Sequence, residues 1–353
     1  MTQGSLKERI EAGLAKDGHP VKVVELKNSH GMTATFMDVG ATWLSTTMPV
    51  KGQSRELLLG VGSIDEYYDH GGCLGSTVGR YANRIKHGQL VIDGETYSLP
   101  TNAAGNTLHG GSDGFHRRRW TIEKQTDDKV QFSLVSKDGD QGFPGEVAVL
   151  LTYELTELNQ VQIHFRAVTT QPTVVNLTNH AYFDLSGGQA EDCLTHQMMV
   201  NAPQFLPSDD TGIPFGELLD VEGTSFDFRA LKPIGHSFKS DEHQLRANGY
   251  DHSFLLDREC MSGEVAAELI SPQGDLSMKV FTTKPAIQVY TGNFLAGNPK
   301  REGGEYSSYA GVALETQYMP DSPNHPEWPQ PDVVLRDEEE YMQSTIYQFD
   351  EIG

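Results

Sequence analysis

The sequence predicts an all-β protein: a single large antiparallel β sandwich with one short helix at its N-terminus. Three observations lead there. Apolar residues recur with a period of two at Val130, Phe132 and Leu134, again at Val147, Val149, Leu151, Tyr153 and Leu155, and at Val161, Ile163, Phe165 and Ala167. That alternation marks strands with one face on a core. The run Leu90-Val91-Ile92, Asp93-Gly94, Glu95-Thr96-Tyr97 is a two-residue hairpin signal, because Asp-Gly supplies both positive φ angles of the turn. Hardly any amphipathic segment of 10–15 residues separates the strands, which disfavours a parallel βαβ sheet.

Taken in order, the chain opens with Ser5 followed three residues later by Glu8, a capping-box pattern. Leu6, Ile10 and Leu14 then recur on one helical face. Residues 1–20 are therefore expected to form a helical extension. Strand patterns follow, with Asn159-Gln160 joining two of the alternating runs. The 353 residues allow two or three domains by length alone. No fixed-period repeat is present, and the 36 Gly and 17 Pro are scattered rather than gathered into a linker. Residues 1–353 are expected to form one domain.

Composition excludes several function classes. The chain has 27 Lys and Arg against 49 Asp and Glu, a net charge of −22. That balance is wrong for a nucleic-acid binder, which displaces counterions with positive charge, and for a polybasic membrane-surface protein. Cys73, Cys193 and Cys260 are widely spaced with no CxxC, so neither a disulfide framework nor a thiolate zinc site is expected, and a reducing, cytoplasmic setting fits. Lys7, Glu8, Arg9 and Glu11 interrupt any apolar leader, and no run approaches the length of a membrane span. There is no HExxH or HxH pair, no GxGxxG after a strand, no GxxxxGK[ST] and no GxSxG, so neither metal nor cofactor is expected.

Six segments could carry chemistry. Gly79-Arg80-Tyr81-Ala82-Asn83-Arg84-Ile85 places two Arg and an Asn in an apolar stretch. Alone it fits a surface loop with ion-paired arginines better than a polar grip on a ligand. His109 in Thr107-Leu108-His109-Gly110-Gly111 sits beside glycines that permit close approach of a ligand, or in an ordinary turn. Asn176, Thr178, His180 and Tyr182 fall on one face if residues 174–185 form a strand, poor core and poor random surface. An unperturbed imidazole titrates near neutrality, which makes His180 the obvious proton handler. Asp251 could accept hydrogen bonds from hydroxyls or begin an Asx turn. Gln288, on one face with Tyr290, could bind a ligand or lie on the wet side of a sheet. Glu315 ends an apolar run and is a candidate base if buried near His180. Arg117-Arg118-Arg119 and Asp337-Glu338-Glu339-Glu340 read as solvated stretches.

Together these segments resemble the aldose 1-epimerase (galactose mutarotase) family. The strings are GRYANRI at 79–85, TLHGG at 107–111, NLTNHAYFDL at 176–185, YDH at 250–252, QVYTGNFL at 288–295 and LETQYMPDSPNHP at 314–326, in the family's order. The resemblance implies a β supersandwich spanning the whole chain, with its site in an open cleft. It implies that Glu315 is the general base and His180 the general acid, and that Asn83, Arg84, His109, Asp251 and Gln288 bind substrate hydroxyls or the ring oxygen. The expected reaction interconverts α and β anomers of a free aldohexose without a cofactor, with Glu315 ionised and His180 protonated in the productive state. The expected partner is a small sugar, with neither nucleic acid nor membrane, and the chain is a monomer or homodimer. Two alternatives stand beside this reading: a non-catalytic sugar-binding protein on the same scaffold, and a mutarotase for a phosphorylated hexose, for which Arg117 to Arg119 would supply the basic cluster.

Overall fold

A computed structural model describes residues 4–353, so the first three residues of the expected N-terminal extension lie outside the described residues. The alternating runs form strands as their periodicity predicts. Lys129–Ser136, Val147–Leu155 and Gln160–Thr169 pair antiparallel, with Phe132 opposite Leu151 and Leu151 opposite Phe165. They belong to a nine-stranded sheet that continues through Tyr341–Glu351, Leu276–Thr282, Ala267–Ile270, Gln197–Val200 and Lys232–Pro233, with Thr121–Gln125 at the opposite edge. A six-stranded sheet runs in the order Tyr182–Phe183, Val312–Gln317, Ala286–Tyr290, Asp251–Leu255, Gln204–Leu206, Leu219–Asp220. A four-stranded sheet of residues 23–56 precedes both.

The two larger sheets pack through alternate residues of their strands. On Val312–Gln317, Val312 and Leu314 enter the main apolar cluster. Thr316 bonds Thr345 across the gap at 2.5 Å, and the Tyr347 hydroxyl donates to the Leu314 carbonyl at 2.9 Å. Side chains alternate along a strand, so Ala313, Glu315 and Gln317 are turned the other way. The hairpin forms as expected: Ile92 pairs with Glu95, and Asp93 and Gly94 have φ of 51° and 84°.

Two expectations change. The capping box forms, with Ser5 Oγ accepting from Glu8 N and Glu8 Oε2 from Ser5 N, but the helix spans only Leu6–Glu11. Ile10 is fully buried, whereas Leu14 lies beyond the helix and is 58% exposed. Residues 174–185 do not form one strand. Thr178–Asn179 pairs with Thr77–Val78, and Tyr182–Phe183 pairs with Val312–Ala313. Between them Asn179 Oδ1 accepts from Ala181 N and bends the chain. Asn176 is thereby taken out of the expected row and buried elsewhere, donating to the Ala82 and Tyr318 carbonyls and accepting from Tyr318 N and Lys284 Nζ.

Among the described residues there are three α-helices, each of six residues. None is long and apolar enough to cross a membrane.

Candidate active site

Glu315 sits in the middle of a strand that is hydrogen-bonded on both sides, opposite Gln288. It is 2% exposed. His180 is clamped by backbone bonds, its N–H to the Ser76 carbonyl at 2.9 Å and its carbonyl from Gly75 N at 2.9 Å. These two fixed backbones bring His180 Nε2 within 3.4 Å of Glu315 Oε1. The His180 ring stacks on Tyr182 at 4.9 Å and meets Tyr290 edge-on at 6.4 Å.

A cavity of about 350 Å³ opens above the pair. Asn83, Arg84, His109, Asp251, His180 and Glu315 all line it, with Tyr182 and Tyr290. Gln288 does not line it. Its Nε2 donates to Asp251 Oδ1 at 2.7 Å, so Gln288 orients Asp251 from below. The Arg84–Ile85 segment pairs with Thr107–Leu108, which sets Asn83 beside His109. His109 Nδ1 accepts from Asn83 N at 3.1 Å, so its proton is carried on Nε2. Arg84 lies against Asn83 Oδ1 and, among the described residues, has no carboxylate within salt-bridge distance.

The two arginines of one string thus separate. Arg80 is buried and donates to the carbonyls of Ser136, Lys137, Pro144 and Gly145, a structural tie between loops. Arg118 pairs with Asp140 and Asp113, and Arg119 with Asp17 and Asp38. Arg118 and Arg119 are thus committed to carboxylates rather than left solvated, and none of the run lines the cleft.

Burial sets the electrostatics. It holds His180 down to about 3 and pushes Glu315 well above the usual carboxylate range, with Asp251 adding to the rise and Arg84 opposing it. His109 is also held well below its ordinary value, by burial and then by neighbouring His180. Burial therefore favours a protonated Glu315 and a neutral His180, the reverse of the expected productive state. The physical reason is that a dry site penalises both charges. The two arrangements hold the same number of protons and differ by one transfer within the pair.

Sequence reasoning missed part of the wall: Gly71, Gly72, Cys73, Phe294, Leu295 and Asn298. Only Phe294 and Leu295 fell in a quoted string. Residues 71–73 carry no chemical pattern, and only the fold brings them to the cleft.

The aldose 1-epimerase family model matches residues 22–348. The chain belongs to the aldose 1-epimerase family. Aldose 1-epimerase of Escherichia coli is 48% identical over 337 residues, covering 95% of this chain and 97% of that protein. Galactose mutarotase of Rattus norvegicus is 39% identical over 349 residues, 98% of each. Among solved structures, an aldose epimerase homologue from C. elegans superposes with a TM-score of 0.87 at 31% identity, covering 94% of this chain and all of that one. Galactose 1-epimerase from Lactobacillus acidophilus gives 0.83 at 29% identity, covering 97% and 98%. The fold is that of these epimerases.

Proposed function

We propose that the cleft interconverts the α and β anomers of a free aldohexose, with Glu315 as general base and His180 as general acid. The observation that carries this reading is the buried carboxyl–imidazole pair, 3.4 Å apart, at the floor of an open polar cleft. Glu315 takes the proton of the anomeric O1–H. The C1–O5 bond breaks as C1=O1 forms, and His180 gives its proton to O5. The aldehyde turns about C1–C2, O5 attacks the other carbonyl face, and both protons return. Each partner contributes about 10²–10⁴-fold. Asn83, Arg84, His109 and Asp251 hold the remaining hydroxyls so that only C1 turns, and Gln288 acts through Asp251.

Protonation fits this cycle. The neutral pair favoured by burial is the arrangement that follows ring opening. A bound ring sugar offers hydroxyl donors to the carboxylate and acceptors to the imidazolium, which offsets desolvation of the charged pair. Burial then favours ring opening, because that step discharges both groups.

A neutral sugar is favoured over a phosphorylated one. Arg84 is the one Lys or Arg lining the cleft among the described residues, and the Arg118 and Arg119 guanidiniums already hold carboxylates. The test is polarimetry on fresh α-D-galactose and α-D-glucose beside galactose 6-phosphate. Acceleration of the free sugars and a much smaller effect on the phosphate ester is expected. No acceleration of any sugar by folded protein, or a preference for the ester, contradicts the reading.

A further inference from the structure

Beside Glu315, on the same sheet face, lies a group of buried polar atoms with no protein partner. The register places Glu315, Gln288 and Ser253 in one row across three neighbouring strands. Gln317 is two residues beyond Glu315 on the same strand, hence on the same face. Glu315 Oε2, Gln288 Oε1, Ser253 Oγ and both amide atoms of Gln317 are buried and unpartnered. Gln317 itself is 0% exposed and does not line the cleft, so a sugar cannot reach it from above. Two members of an apolar cluster adjoin the group, Leu206 opposite Ser253 and Ala286 opposite Gln317.

Buried polar groups are hydrogen-bonded with few exceptions, and an amide left bare is destabilising. Three of these groups match the valence of one water molecule. Gln317 Nε2 is a donor, while Glu315 Oε2, when ionised, and Gln288 Oε1 are acceptors. Buried waters typically make about three such bonds. Gln288 is the direct cross-strand neighbour of Glu315, and Gln317 is diagonal to Gln288, so the three side chains are neighbours on one sheet face.

We propose that Gln317 is a positioning residue, holding a buried water that accepts from Gln317 Nε2 and donates to Glu315 Oε2 and Gln288 Oε1. The water fixes the carboxylate so that Oε1 faces the cleft. It also ties the base to Gln288, and through Gln288 to Asp251, so that base and hydroxyl-binding group move as one unit. A hydrogen bond donated to a carboxylate favours its ionised form, so the water keeps Glu315 basic beneath the sugar. Ser253 Oγ, next in the row, extends the same wet site. This inference rests on Glu315 being the base.

The test uses Gln317→Met, similar in length but unable to hold the water, and Gln317→Glu, which keeps the shape but replaces the amide donor by a carboxylate. Thermal melts establish that each is folded. For Gln317→Met, kcat is expected to fall about tenfold with KM changed less than about twofold. The acid limb of its pH–rate profile moves to higher pH, because the carboxylate has lost a donor. A crystal structure of the wild type is expected to show one ordered water within hydrogen-bond reach of all three groups. Unchanged kcat, a fall in kcat without movement of the acid limb, or an empty site in a well-ordered crystal overturns the proposal. If Gln317→Glu melts like the wild type but retains full activity with an unmoved limb, the proposal also fails. Failure of the base assignment itself is seen separately, as a Glu315→Gln variant that keeps the wild-type rate.

Discussion

A buried carboxyl and imidazole that share one proton are poised for transfer but poorly suited to stability. Glu315 is raised well above its ordinary range by burial. A group with a raised folded pKa contributes stability that is full below its unfolded value of about 4.5 and is lost as pH rises. Glu315→Gln should therefore raise the melting temperature at pH 7, and the gain should vanish near pH 4, where both states of the wild type are protonated. The same variant and His180→Asn should each lose about 10²–10⁴-fold in turnover. Arg80 shows the limit of reading single residues. It and Arg84 share one string, yet Arg80 is consumed by four carbonyls of residues 136–145 and only Arg84 reaches the cleft. Nothing local separates them, because the carbonyls that claim Arg80 lie more than 50 residues away in sequence. Arg80→Met should unfold the loops it ties, costing about 3 kcal/mol or more in a denaturant titration.

At the scale of elements, turn chemistry and alternation were legible and strand continuity was not. Asp93-Gly94 made its turn because both residues adopt positive φ. A Cβ at Gly94 meets nothing within 4 Å, so Gly94→Ala measures conformation alone. It should cost about 1 kcal/mol in urea unfolding, with activity unchanged. Residues 174–185 read as one strand because Asn, Thr, His and Tyr alternate there. The bend at Asn179 arises from a side-chain bond to Ala181 N that periodicity does not report. The bend delivers His180 to Glu315 while sending Asn176 into a buried network with Lys284. Gln288 was expected to touch substrate on the resemblance alone; its own pattern read better as a polar residue on the wet side of a sheet. Its position opposite Glu315, bonded to Asp251, follows from sheet order, which one sequence does not display.

Across the whole molecule, the sheets explain why segments about 230 residues apart in sequence meet. The fold also stores acid sensitivity. Burial holds His70 and His116 down to about 4 and His180 and His252 to about 3. The unfolded chain takes up protons at these histidines below its ordinary pKa of about 6.5, and the folded chain does not. Stability from them is complete above about 6.5 and is lost as pH falls toward 4, by up to about 1.4 kcal/mol per pH unit for each. The melting temperature should fall between pH 7 and pH 5, and more shallowly in His252→Phe, which replaces a ring packed 4.8 Å from Phe226 without a titrating group. The central claim concerns the pair at the cleft floor. It is tested most directly by polarimetric decay of fresh α-D-galactose with wild-type and Glu315→Gln protein at equal folded concentration. Strong acceleration by the wild type, with at least a hundredfold loss in the variant, is expected. A variant as fast as the wild type, or a wild type no faster than buffer, would contradict it.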